Sequence, residues 1–189
     1  MQSEARTLQE PAAEKVTDLQ VRPSPATHGC AVRFQGQGRG QRDHQPDHVV
    51  RKILVPTDFS ASSARALEFA VPLARQCQAE LTILHVIDIN AQSAHSEYTP
   101  AADLMKGLWE TGFQEMGKLA FSLDGQVDAQ TAVEEGLPFE QIIEKSREVD
   151  LLVVGKPGPK PGWKLFSKRT AERVIEHAAC PVIVVQDRD

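Results

Sequence analysis

"DLLVVG", residues 150–155, is a run of apolar residues with no polar alternation, and "PVIVVQ", residues 181–186, repeats the pattern near the C-terminal end. A strand with one wet face alternates; a run that does not is buried on both faces, as in a parallel strand covered by helices. Upstream, "KILVP" (52–56) and "LTILHVID" (81–88) read the same way, and "VDAQTAVEEG" (127–136) alternates, as suits a strand with one wetter face. Between them lie helical periods. Ser60 can cap a helix carrying Ala64, Leu67, Val71 and Ala74, and residues 100 to 122 carry Met105, Trp109, Phe113, Met116 and Ala120 as an apolar stripe. Gly136 and Pro138 turn the chain into a helix around Ile142 and Ile143, and "AERVIEHAAC" (171–180) supplies another. Strands separated by helices require right-handed crossovers. The expected class is therefore α/β: a doubly wound, five-stranded parallel sheet with helices on both faces.

Some details are expected to interrupt this regularity. Pro72 removes a backbone donor inside its helix and predicts a bend or an early end there. Gly107, Gly112 and Gly117 each cost about 1 kcal/mol relative to alanine, so the second helix should lean on packing and move most. "INAQSAHSEYTP" (89–100) reads as a flexible loop, and "KPGPKPGWKLFSKRT" (156–170) as a loop long enough to suggest a function.

The chain has 189 residues, 41% of them hydrophobic, which suits one domain plus a tail. A net charge of −5 argues against a general nucleic-acid binder, so any anion site must be local. Three cysteines, Cys30, Cys77 and Cys180, make an odd, widely spaced set that fits a reducing compartment, and the cytoplasm is the expected location. No apolar stretch reaches the roughly 18 residues of a membrane span, and the N-terminal segment lacks the features of a signal or transit peptide. Residues 1–48 carry too few bulky apolar side chains to offset the entropy of ordering, and are expected to form a disordered tail ahead of a domain at 49–189. The abrupt change at "VVRKILVPTDFS" leaves a second expectation open, that translation starts at Val49 or Val50; the intact mass of the native protein separates the two.

In open α/β sheets ligands sit beyond the carboxyl ends of the strands, where strand order reverses. Two loops qualify: "PTDFS" after the first strand, and "GKPG" after the fourth, whose glycines let backbone amides approach an anion. Other motifs carry less. "GQGRG" (36–40) has neither strand before it nor helix after it, and no P-loop signature occurs. His28, Cys30, His44 and His48 do not make a convincing zinc set, and no metal is expected. His85 reads as a core histidine, Cys77 and Cys180 as small core residues. No nucleophile, acid–base pair or metal constellation supports an enzyme.

"ILVPTDFSASSARALEFA", "LTILHVID", "DLLVVGKPG" and "AERVIEHAACPVIVV", in that order, resemble the universal stress protein family over the whole of residues 49–189. The resemblance implies an adenine nucleotide alpha hydrolase-like, Rossmann-like architecture, a regulatory role in stress response, and ATP or another adenine nucleotide as ligand. It makes Pro56, Thr57 and Asp58 part of the site, with Asp58 in the ribose-binding position and Val86 where a backbone meets adenine. Asp58 also has the plainer reading of an Asx turn before a helix. In the nucleotide-binding branch the fourth strand runs into Gly-x-x-Gly, nine residues, then Gly-Ser or Gly-Thr. Gly155 and Gly158 match, but Lys168 and Arg169 stand where the final pair belongs, followed by Thr170.

Two cations at a helix start are disfavoured by about 0.3 to 1 kcal/mol each unless an anion sits there. Three readings of Lys168 and Arg169 remain open: they bind phosphate by charge-assisted hydrogen bonds, they fill the phosphate site, or they are solvated members of a basic loop with Lys156, Lys160 and Lys164. Pro157, Pro159 and Pro161 stiffen that loop, and Trp163 and Phe166 are expected to pack on the domain or a partner. The resemblance also places the last strand at the sheet edge, which predicts a homodimer through Pro181 to Gln186, with neither nucleic acid nor membrane as partner. Two functions follow: an adenine-nucleotide-binding regulatory module, or a nucleotide-free dimeric interaction protein.

Overall fold

The computed structural model describes residues 18–23, 30–35, 48–90, 101–156 and 168–186. The chain runs β1 (Asp18–Pro23), β2 (Cys30–Gln35), β3 (His48–Val50), β4 (Lys52–Thr57), α1 (Ala61–Cys77), β5 (Glu80–Asp88), α2 (Ala101–Leu123), β6 (Ala129–Gly136), α3 (Pro138–Lys145), β7 (Leu151–Lys156), α4 (Lys168–His177) and β8 (Val182–Gln186). β4 to β8 form the expected parallel sheet, in the order β6-β5-β4-β7-β8. The order reverses at β4, which pairs with β5 on one side and β7 on the other. At such a reversal the outgoing crossovers leave in opposite directions, and in open α/β sheets the crevice that takes a ligand lies there, outside the carboxyl ends of the strands.

Four consecutive side chains of β7, Leu151 to Val154, are fully buried. Leu151 and Val153 join Ile53 and Val55 under α1 and α2, while Leu152 and Val154 join Leu54 on the side of α3 and α4. Both faces are covered, which is why the run shows no alternation. Burying each of these side chains contributes about 1.5–3 kcal/mol. Edge strands differ: no residue of β6 is fully buried and Gln130, Thr131 and Glu135 are exposed, and on β8 Val184 is 38% exposed.

α1 begins as expected, with the Ser63 amide donating to Ser60 Oγ at 3.3 Å. It does not end early at Pro72, which faces solvent, but runs on to Cys77 and stops where Gln78 turns left-handed. Apolar burial of Val71, Leu73, Ala74 and Cys77 on either side of the proline outweighs the lost hydrogen bond. In α2 the stripe needs correction. Met116 is buried, but Phe113 is 59% exposed; the packed face carries Gly112, Met116, Leu119 and Leu123. Gly112 earns its place by contact, since a Cβ there would stand 3.2 Å from the His85 ring.

Within the span expected to form a tail, Asp18–Pro23, Cys30–Gln35 and His48–Val50 make a three-stranded antiparallel sheet of order β1-β2-β3. Its register sets Leu19 opposite Phe34 and Val21 opposite Val32, pairing two short runs whose sequences alternate. Composition averaged over the whole span hid that local alternation. At the far end of the main sheet, Asp150 Oδ2 accepts the Arg51 and Lys52 amides at 2.8 and 2.9 Å, tying the start of β7 to the start of β4.

Candidate nucleotide site at the strand-order reversal

β4 delivers Pro56 and Thr57 to the cleft, and the turn that follows is built on side-chain oxygens. Asp58 is 7% exposed, and its Oδ1 accepts the Ser60 amide at 3.0 Å and the Ser63 hydroxyl at 2.9 Å. The Phe59 amide donates to Thr57 Oγ1 at 3.0 Å, and the Thr57 hydroxyl donates to Ser63 Oγ at 3.2 Å. Ser60 Oγ lies 2.9 Å from Ser62 Oγ. The Asx turn is therefore present, and Asp58 closes the first turn of α1 as well. Phe59 takes a left-handed backbone, φ 59°, costing about 1–2 kcal/mol for a side chain with a Cβ. Its ring settles against His85, centroids 4.4 Å apart, which offsets part of that cost.

Gly155 meets this turn from β7. A Cβ at that position would lie 2.1 Å from the Ser62 carbonyl oxygen and 2.9 Å from the Ser63 nitrogen, so only glycine lets α1 sit this close to the strand. Asp58 and Gly155 thus come together through Ser63, which bonds one and abuts the other. Val86 is buried, and β4 stops pairing at Thr57–His85, so β5 from Val86 to Asp88 runs past the end of β4 along the cleft. α4 begins at Lys168 on the same edge, bringing Arg169 and a half-buried Thr170 in its first turn; neither α1 nor α4 has an acidic residue there. Of Lys168 and Arg169 only the backbone is described. Gly158 and the rest of 157–167, with Trp163 and Phe166, lie outside the described residues.

Sequence reasoning missed Ser62, Ser63 and Phe59 as parts of the turn. The signal was the hydroxyl run "SASS" directly after Asp58. His85 is buried as expected, and because a carbonyl can only accept, its Nδ1 carries a proton donated to the Thr57 carbonyl at 2.9 Å. Burial lowers its pKa from 6.5; the bond to Thr57 and the Asp58 charge oppose that without reversing it. Because the folded value is depressed, the stability it carries is full above about pH 6.5 and is lost as pH falls through the folded value. Between pH 7 and pH 5 the melting temperature should fall more steeply for the wild type than for His85→Asn, whose amide can still donate to Thr57. Parallel melting curves of the two would contradict this account.

Elsewhere, Cys77 is buried in the core, and burial pushes the half-buried Cys180 thiol up to about 12, so it stays protonated and inert. A cavity of about 250 Å³ lined by Lys52, Glu80, Thr82, Gln130 and Lys145 lies at the opposite ends of the strands. Some of its polar groups are matched to one another or to a neighbour: Gln130 to Glu80, and Lys145 to Glu134 at 3.1 Å, which raises the lysine's pKa. Among the described residues, no group of three or more His, Cys, Asp and Glu could hold a metal ion, and no helix is long and apolar enough to cross a membrane.

The family model described as the universal stress protein family matches residues 50–186. Universal stress protein YxiE of Bacillus subtilis is 31% identical over 149 residues, covering 73% of this chain and 100% of its own length. Among solved structures, the universal stress protein UspA from Lactobacillus plantarum superposes with a TM-score of 0.57 at 25% identity, over 72% of this chain and 97% of that one. A universal stress protein family protein from Arabidopsis thaliana, solved with AMP bound, gives a TM-score of 0.53 at 20% identity, over 73% of this chain and 92% of that one. The family model spans well over half of the chain, and the chain belongs to the universal stress protein family.

Proposed function

We propose that this protein is a regulatory module that binds an adenine nucleotide where the sheet order reverses. The observation that carries the reading is the meeting of Asp58 and Gly155 through Ser63, which sets a carboxylate and an open glycine backbone on one cleft. In the proposed complex Pro56 and Thr57 shape the entry and Asp58 accepts from the ribose hydroxyls. The β5 backbone at Val86 meets the base. The amides of Gly155 and Gly158, the Thr170 hydroxyl, and Lys168 and Arg169 face the phosphates. Two helix N-termini without first-turn acids add a field that favours negative charge. The Arabidopsis relative with AMP bound makes adenine nucleotides the first ligands to test. No hydrolysis is proposed; the role is sensing, in the cytoplasm. Calorimetric titration with ATP should show saturable heat with one site per chain, and absence of heat at millimolar ATP would overturn the reading.

The second reading, a nucleotide-free dimeric interaction protein, is favoured by Lys168 and Arg169 standing where the binding pattern has glycine and a hydroxyl. Both readings share one assembly. Among the described residues β8 is an edge strand paired with β7 alone, and pairing Pro181 to Gln186 with a second copy would satisfy its other side. Light scattering at micromolar concentration should give a dimer mass; a monomer mass would remove this interface.

A further inference from the structure

We propose that α2 carries a second self-association surface, in which Phe113 of one chain seats in the notch left by the partner's Gly117. On α2, Lys106, Glu110, Phe113, Gly117 and Phe121 recur at steps of three and four residues, which puts them on one face, with Asp124 just past the helix end. That face points away from the core: the packed residues are Gly112, Met116 and Leu123, while Phe113 is 59% and Phe121 83% exposed. Gly117 lies between the two phenylalanines, and a Cβ built there meets no heavy atom within 4 Å. The glycine weakens the helix relative to alanine, and no contact among the described residues accounts for it.

The occupant that fits is a second copy of the same helix, antiparallel. Setting Phe113 over the partner's Gly117 automatically sets Gly117 under the partner's Phe113, as an isologous two-fold contact requires. The same register brings Lys106 opposite the partner's Asp124, twice, and so matches charge. Lys106 is available for that role: its pair with Glu110 is 3.8 Å long and highly exposed, so it contributes little within the chain. A missing side chain at Gly117 also lets the two helices approach closely around the phenylalanine. This surface shares no residue with β8, so the two contacts are independent.

Sedimentation velocity on the full chain from about 1 to about 100 µM tests it by mass action. The wild type should show a concentration-dependent step, read as dimer to tetramer where the β8 dimer is present and as monomer to dimer where it is not. Val184→Lys removes the β8 step alone. Gly117→Leu discriminates: it should raise the melting temperature, because it improves helix propensity at an open position, yet shift association to at least about tenfold higher concentration by filling the notch. A merely sticky apolar patch would respond the other way. Lys106→Asp and Asp124→Lys should each weaken association, and the double variant should restore it. Concentration-independent sedimentation, stronger association of Gly117→Leu, or a double variant no better than the singles would overturn the proposal. So would a lower melting temperature for Gly117→Leu without any change in association, the result expected if another segment of the same chain covers the stripe.

Discussion

Gly155→Ala should lower the melting temperature by about 10 °C, and Gly155→Val should fail to accumulate as folded protein. The added methyl group has nowhere to go: its nearest neighbours are backbone atoms of Ser62 and Ser63, at 2.1 to 2.9 Å, and a backbone held in the first turn of α1 cannot rotate aside as a side chain can. Relief requires α1 to lift from β7, which loosens the packing of Ala66 and Ala70 over Val153. Overpacking of this kind costs about 3 kcal/mol, and in a domain of this size each kcal/mol lowers the melting temperature by about 2–4 °C. Gly107→Ala is the control. Nothing lies within 4 Å of its added carbon, so it should be neutral or stabilising by about 1 kcal/mol. Equal melting of Gly155→Ala and the wild type would mean that α1 does not rest on the strand as described. The result also bears on function, since Gly155 has a packing reason to be glycine whether or not phosphate ever meets it.

That double duty marks the limit of what the sequence discloses. The sheet was legible because burial on both faces writes itself into composition: Leu151 to Val154 have no polar member, whereas the wetter β6 mixes polar and apolar residues. Helix faces were less legible. A step of three or four residues fits more than one stripe, and Phe113 fitted the chosen one while its own chain leaves it in solvent; the true stripe includes Gly112, which no hydrophobicity count would select. Asp58 could be placed at the site from the loop after β4. That Ser63 bridges it to Gly155 could not, because that contact joins a loop, a helix and a distant strand whose relative positions only the three-dimensional packing sets. Averaging likewise concealed β1 and β2, where alternation over six residues each is diluted by the polar chain around them.

Asp58 has a structural task and a proposed binding task, and two substitutions divide them. Asp58→Ala removes the acceptor for the Ser60 amide and the Ser63 hydroxyl, both in a buried setting. The Ser63 hydroxyl keeps a second acceptor in the Ser60 carbonyl at 3.0 Å, but leaving the buried Ser60 amide unpaired costs about 1–3 kcal/mol, so this variant should melt below the wild type whatever it binds. Asp58→Asn keeps an oxygen where Oδ1 lies and can accept both bonds, so its melting temperature should stay within a few degrees of the wild type. What it loses is the charge. A hydrogen bond to a charged acceptor is worth about 1 kcal/mol more than one to a neutral amide, so a ribose hydroxyl held by Asp58 should make ATP bind about fivefold more weakly to Asp58→Asn. A well-folded Asp58→Asn that binds ATP as tightly as the wild type would confine Asp58 to the turn and move nucleotide recognition to the glycine and α4 side of the cleft. A poorly folded one would show instead that the carboxylate charge itself holds the first turn of α1 in place.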